Sequence, residues 1–118
     1  MEKFIKNAIL FDFYGGLLTQ RQQDVFRYYY HLDYSLAEVA EKLNISRQGV
    51  RDNLQRTEAA LQEFERQLAL NETYEKQRKG IQSLQERLRS LQARVEDPAI
   101  QSEIEEIRNS MNSFLDDV

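Results

Sequence analysis

The stretch SLAEVAEKLNISRQGVRDNLQR, Ser35–Arg56, decides the fold of this chain. Ser35 and, three residues later, Glu38 form a capping box, in which each side chain satisfies a backbone N–H group at a helix start. Asn44 tolerates the left-handed backbone conformation that often ends a helix. Ser46 is then a suitable N-cap for a second helix. The pattern predicts two helices joined by a tight turn.

These two helices meet the requirements of a helix-turn-helix. The motif needs a small residue where the helices cross, a left-handed turn, and apolar residues that hold both helices to a core. Ala40 is the small residue and Asn44 provides the turn. The residues expected to form the packing of the motif are Leu36, Val39, Ala40, Leu43, Asn44, Ile45 and Val50.

The opposite side of the second helix is then left facing outward on its first turns. In a recognition helix these turns meet base edges and phosphates in the major groove, where arginine and glutamine suit guanine and adenine. Asp52 complicates this reading, because a carboxylate repels phosphate unless it accepts from cytosine or orients Arg51 or Arg56. The predicted nucleic-acid-binding residues are Ser46, Arg47, Gln48, Arg51, Gln55 and Arg56. Modules of this kind also serve as protein-binding or architectural units, so the fold alone does not settle the function.

Two further helices are predicted before the quoted stretch. Apolar residues recur at helical spacing over residues 4–13, until Gly15 and Gly16 interrupt the pattern. Thr19 and Gln22 repeat the capping box and begin a helix that we expect to run to about residue 31.

Three long helices are predicted toward the C-terminus. The recognition helix keeps an apolar stripe until Asn71, which we expect to cap a fifth helix with heptad-like spacing. Asp97 and Pro98 have the residue types of a cap and a first position for a sixth helix. The expected fold is therefore all-α, with a trihelical head without a wing over residues 1–70, whose fourth helix continues into the tail. Residues 71–118 form an acidic two-helix tail that packs on the fourth helix or on a dimer mate.

The long helices carry more apolar residues on their heptad-like faces than a small trihelical head can cover. They must pack on each other, on a second copy or on another protein. We favour a homodimer, because two heads on one twofold axis would meet two half-sites. The residues assigned to dimer or tail packing are Leu61, Phe64, Leu68, Ile81, Leu84, Leu88, Leu91, Ile104, Ile107 and Met111.

Composition limits the possible functions. Lys and Arg balance Asp and Glu over residues 1–60, so the net charge of −4 belongs to residues 61–118 and does not forbid a DNA-binding face in the head. The chain has no cysteine and one histidine, and it carries no glycine-rich phosphate loop. We therefore expect no enzyme activity, no cofactor, no metal and no membrane insertion. A cytoplasmic location fits best.

Residues 17–61, LLTQRQQDVFRYYYHLDYSLAEVAEKLNISRQGVRDNLQRTEAAL, resemble region four of bacterial sigma factors, where an "LT..Q..V" helix precedes the motif. The chain is more similar to the YlxM family of small bacterial proteins, which share SLAEVAE, ISRQGV and RTEAALQEFE and the acidic helical tail. The resemblance implies a sigma-like DNA-binding module with Arg47, Gln48 and Arg51 in recognition-helix positions. It also implies a link to the signal recognition particle pathway, either by regulating its genes or as an adaptor for its protein or RNA. The other regions of sigma factors are absent, so the chain is no complete sigma factor.

Overall fold

A computed structural model describes residues 2–115. These residues form α-helices and no strand, so the predicted all-α fold is confirmed. The chain divides into two compact units, the first ending at Asn71 and the second beginning at Glu72. The helices are α1 (Glu2–Tyr14), α2 (Gln20–Phe26), α3 (Leu36–Leu43), α4 (Arg47–Leu68), α5 (Leu70–Arg94) and α6 (Pro98–Leu115).

The first unit is built around one hydrophobic core. α4 packs against α1, α2 and α3, so it is the central element of the unit. The glycine at the end of α1 is part of this packing: a Cβ on Gly15 would come within 3.1 Å of the Phe11 ring. The core residues are Leu10, Phe11, Tyr14, Leu18, Val25, Phe26, Tyr30, Val39, Ala40, Val50, Leu54 and Leu61.

Aromatic rings stack in a column through this core. Phe26 lies between Phe11, with ring centroids 4.3 Å apart, and Tyr30, at 3.9 Å. Tyr30 in turn stacks on Phe4 at 4.2 Å. The predicted helix over residues 20–31 is not wholly α-helical, because its last turn, Arg27–His31, is a π-helix. The column thus joins α1 to the segment before α3.

The local helix starts follow the sequence closely. Thr19 with Gln22 and Ser35 with Glu38 both form complete capping boxes, as predicted. The Ser35 backbone N–H, which is the larger cause, and the Ser35 side chain together lower the pKa of Glu38. At the start of α6 the Asp97 carboxylate accepts from the Ala99 N–H at 2.9 Å, so the prediction of this cap is also confirmed.

The junction of α4 and α5 differs from the prediction. α4 ends at Leu68, and Ala69 takes the left-handed conformation with φ 51°. α5 begins at Leu70, so Asn71 lies inside its first turn and does not cap it. Asn71 was expected to cap because of its residue type, whereas the backbone turns two residues earlier.

Side chains distant in sequence satisfy the first N–H groups of α5. The Tyr14 hydroxyl donates to Glu65 at 2.5 Å and accepts from the Leu70 N–H at 3.0 Å. The Asn71 N–H donates to the same Glu65 oxygen at 3.1 Å. These contacts place a carboxylate at the positive end of α5, where the helix dipole favours negative charge. α1 and α4 together therefore supply the cap that Asn71 was expected to provide.

Three residues assigned to dimer or tail packing lie in the first unit, and two of them pack in its core. Leu61 is fully buried in its core, and Phe64 packs against that core, with its ring 5.8 Å from that of Tyr14. α1 is the element that covers this part of α4, which the spacing along α4 alone could not reveal. Leu68, by contrast, is exposed.

The second unit consists of most of α5 and all of α6, which lie antiparallel. Gln85 donates to Asn112 at 2.6 Å, and Gln92 donates to the Gln101 carbonyl at 3.0 Å. The Arg108 guanidinium donates to Gln92 at 2.7 Å. In the assigned packing set, Ile104 is buried, Ile81, Leu88 and Met111 are half-buried, and Leu84, Leu91 and Ile107 are exposed.

Candidate nucleic-acid interface

The turn between α3 and α4 has the expected left-handed geometry. Asn44 adopts φ 56° and ψ 48°, and its N–H donates to the Glu41 carbonyl at 3.3 Å. The Ile45 N–H donates to the Ala40 carbonyl at 3.0 Å. This pair of bonds is the Schellman arrangement, which satisfies the last carbonyls of a helix. α4 can therefore start immediately after α3 with a fixed change of direction.

The packing residues of the motif face the core. Val39, Ala40 and Val50 are buried, while Asn44 is exposed at the turn. The remaining apolar positions are half-buried and pack against the same core, namely Leu36, Leu43 and Ile45.

The six predicted nucleic-acid-binding residues are all exposed: Ser46, Arg47, Gln48, Arg51, Gln55 and Arg56. Ser46 is the N-cap of α4, and its Oγ accepts from the Gly49 N–H at 2.9 Å, which leaves the hydroxyl proton available to another acceptor. Within residues 2–115, Arg47, Arg51 and Arg56 form no ion pair or hydrogen bond with another side chain or carbonyl. Their positive charges are thus uncompensated by direct contacts in this part of the chain.

Asp52 is bonded to neither of the arginines that the sequence suggested as its partners, Arg51 and Arg56. Its carboxylate accepts from the Gln48 side-chain amide at 2.9 Å, one turn earlier on α4. Neither Arg51 nor Arg56 is oriented by it. Gln48, a residue suited to reading adenine, is therefore held by an intrahelical bond and carries a carboxylate beside it.

A cleft between the start of α2 and α4 adds Arg21 to the candidate interface, a residue that the sequence did not predict. Arg21 of α2 and the N-cap Thr19 line this cleft together with Asp52, Asn53 and Arg56 from α4. Arg21 is exposed, and its guanidinium reaches the Leu43 carbonyl at 3.5 Å. In the sequence, its position two residues after the Thr19 cap places Arg21 at the start of a helix. That this helix start lies beside α4 depends on tertiary packing, which the sequence pattern does not show.

Other kinds of site find little support in the part of the chain that is described. Within residues 2–115, histidine, aspartate and glutamate side chains form no group of three that could hold a metal ion. Across the same residues, none of the helices combines the length and apolar character needed to span a membrane.

The turn, its buried inner residues and the exposed polar start of α4 define a helix-turn-helix protein. The family model described as "Putative helix-turn-helix protein, YlxM / p13 like" matches residues 1–112. The chain belongs to this family, UPF0122.

Similar proteins occur in several bacteria. A UPF0122 protein of Thermoanaerobacter sp. (strain X514) is 41% identical over 113 residues, which cover 96% of this chain and 97% of that protein. A UPF0122 protein of Symbiobacterium thermophilum is 48% identical over 81 residues, 69% of this chain and 76% of its own length. A UPF0122 protein of Geobacillus kaustophilus is 44% identical over 86 residues, covering 73% and 78%.

Proposed function

We propose that this chain is a DNA-binding regulatory protein that reads duplex DNA with the first turns of α4. The observation that carries the proposal is that Arg47, Arg51 and Arg56 are exposed on these turns and have no partner within residues 2–115. An unpaired guanidinium can form two parallel hydrogen bonds to guanine, or bind a phosphate, without breaking a contact in the protein.

The residues of this face take different roles. Arg47 and Arg51 read base edges, and Ser46 donates its hydroxyl to a phosphate. Gln48 can read adenine once its bond to Asp52 opens, which exchanges one hydrogen bond for another. Asp52 is then free to accept from cytosine. A DNA site in which Gln48 binds adenine and Asp52 binds cytosine is therefore favoured over a site that leaves the Asp52 carboxylate next to a phosphate.

Arg21 and Arg56, which line one cleft, position the head on the DNA backbone. Contacts to phosphate fix the register of a protein on the duplex and carry no sequence information directly. Replacing Arg21 should therefore weaken binding about equally on every DNA sequence, whereas replacing Arg47 should relax the sequence preference.

A single head of this charge binds DNA weakly, so the proposal includes a homodimer formed by the tail. Two heads meet two half-sites, and the binding energies of both are used in one complex. From the family resemblance, the genes of the signal recognition particle pathway are the proposed targets of regulation.

The test replaces Arg47 and Arg51 together by alanine and measures DNA affinity over a series of salt concentrations. Because each good arginine–base pair contributes about 1–3 kcal/mol, we expect affinity to fall by about 100-fold or more. The matched control replaces Arg66 and Arg89, which are exposed and paired with Glu63 and Glu86 on their own helices. The control has the same net charge, so it should bind DNA nearly as the parent does. Equal binding by the parent and the Arg47/Arg51 variant would refute the assignment.

The second candidate function is an adaptor for the signal recognition particle protein or its RNA. Asp52 favours the protein as the partner of such an adaptor, because a carboxylate on the recognition face reduces the attraction to the phosphate backbone of DNA and of RNA alike. A pull-down from native lysate in mild salt distinguishes the two. Recovery of a particle component with the parent and with the Arg47/Arg51 variant alike supports the adaptor, and recovery of DNA by the parent alone supports the regulator.

A further inference from the structure

The hairpin of α5 and α6 has almost no core of its own. No residue of α5 is fully buried, and Ile104 is the single buried residue of α6 within Pro98–Leu115. The bonds that align the two helices are made by amide and guanidinium groups, such as Gln85 with Asn112 and Arg108 with Gln92. Polar bonds of this kind set alignment but contribute little net stability, so the hairpin needs apolar contacts from elsewhere.

One face of the hairpin carries an open apolar groove. Leu84 and Leu91 of α5 are 48% and 45% exposed, and Ile107 of α6 is 46% exposed. Phe114 of α6, 67% exposed, lines an adjoining hollow that shares Leu84 with this groove. Leu88 and Met111 lie in the same groove, between the two helices. Large apolar side chains that form one continuous exposed surface are typical of an interaction site.

The two edges of this groove carry opposite charges. The edge on α5 is lined by the exposed Arg87 and Arg94 and by Glu86, whose charge is already paired with Arg89 on the same helix. On α6, the exposed Glu103 lies four residues before Ile107 and is therefore on the adjoining side of that helix. Arg94 and Glu103 form no ion pair within residues 2–115. The groove thus has an unpaired cation on one side and an unpaired anion on the other.

The alignment of the hairpin places these charges at one level. Gln92 of α5 contacts Glu105 of α6, at 3.1 Å. Arg94 is two residues after Gln92, and Glu103 is two residues before Glu105. Since the helices are antiparallel, Arg94 and Glu103 lie at the same height on opposite edges of the groove.

We propose that a second copy of this chain covers the groove, with α5 of each copy packed against α6 of the other. The proposal rests on the homodimer of the proposed function and names its surface and geometry. Two hairpins can meet face to face with α5 on α5 or with α5 on α6. The first would bring like charges together, whereas the second places Arg94 against the partner's Glu103 twice.

The same geometry also pairs the apolar residues. Leu91 lies level with the partner's Ile107, and Leu84 lies level with the partner's Phe114. The twofold axis then runs parallel to the helices, and the product is a four-helix bundle with an isologous interface. In this arrangement both α5 helices begin at the same end of the bundle.

The experiment is a charge exchange followed by sedimentation equilibrium on the full chain without DNA. Arg94→Glu places two repulsive pairs across the interface, and so does Glu103→Arg, so each variant alone should dimerise about tenfold more weakly or worse. An equimolar mixture of the two variants contains two attractive pairs in the mixed dimer. It should dimerise about as tightly as the parent. The control Arg78→Glu has the same charge change at a position of α5 that pairs with Glu75, and neither residue lines the groove. It should leave dimerisation unchanged.

Three results would overturn the proposal: a parent that remains monomeric over the whole concentration range, an Arg94→Glu variant that dimerises more tightly, or a mixture no tighter than its components. Circular dichroism of each variant excludes loss of folding as the cause. DNA binding is measured separately. A parent that stays monomeric but binds DNA through Arg47 and Arg51 refutes the bundle and leaves DNA recognition standing. A parent that dimerises but does not bind DNA refutes DNA recognition and leaves the bundle standing.

Discussion

Ala69 holds a backbone conformation that its residue type does not favour. Its φ of 51° is close to the φ of 56° at Asn44, the residue that ends α3. Asparagine tolerates this region, whereas for alanine the Cβ approaches the following carbonyl at a cost of about 1–2 kcal/mol. The contacts of Tyr14 and Glu65 with the start of α5 compensate for this cost.

Replacing Ala69 by glycine should therefore stabilise the protein. Glycine removes the Cβ repulsion but adds conformational freedom to the unfolded chain, so we expect a net gain of about 0.5–1 kcal/mol in the free energy of unfolding. The control is Ala59→Gly, at an exposed position inside α4, which should lose about 1 kcal/mol. Chemical denaturation measures both, and changes of the same sign would contradict the prediction.

At single positions the sequence predicts exposure better than it predicts partners. Helical periodicity placed Arg47 and Arg51 outward and Val50 inward, because one face of α4 must cover the core. It did not predict that Asp52 accepts from Gln48, since several donors lie within reach and the choice depends on side-chain rotamers.

A helix start is predictable from the sequence when residues close in sequence cap its first N–H groups. It is not predictable when residues distant in sequence provide the cap. The capping boxes at Thr19 and Ser35 use residues three positions apart. The start of α5 uses Tyr14, which comes from α1 and becomes a neighbour only when the first unit folds. The π-helical turn at Arg27–His31 has a similar origin, because it occurs where Tyr30 stacks between Phe26 and Phe4.

Tyr14→Phe tests this cap. The change removes one hydroxyl and leaves the Glu65 carboxylate and the Leu70 N–H without that partner, so we expect a loss of about 1–3 kcal/mol in the free energy of unfolding. Tyr34→Phe is the matched control, because the Tyr34 ring packs on Tyr28 while its hydroxyl forms no bond to residues 2–115. A loss of similar size in both variants would show that the hydroxyl of Tyr14 has no special role.

Over the whole molecule, the two units differ in how completely they bury their apolar residues. α1 covers Leu61 and Phe64, so the first unit has a full core. Nothing among residues 72–115 covers Leu91 or Ile107. The stripe along the long helices was predictable from its spacing, but its division between a core and an open face depends on where α1 lies.

Stability of the whole protein should fall at alkaline pH. Burial, and then the hydrogen bond to a glutamate, raise the pKa of both Tyr14 and Tyr30 above the usual value. Stability is then complete below about pH 10, where unfolded tyrosines are also neutral, and falls by about 1.4 kcal/mol per pH unit for each tyrosine above it. Tyrosinate absorbance and circular dichroism should change together in a late step. Ionisation of all six tyrosines near pH 10 with the helical signal intact would contradict this.

The unpaired arginines of α4 also have an evolutionary consequence. Since Arg47, Arg51 and Arg56 are exposed and form no hydrogen bond or ion pair within residues 2–115, substitutions there should change the free energy of unfolding by no more than about 0.5 kcal/mol. On the proposed DNA-reading role, mutation at these positions would therefore explore new target sequences without a compensating change in the core. The head would then diverge in specificity among descendants while its architecture stays constant.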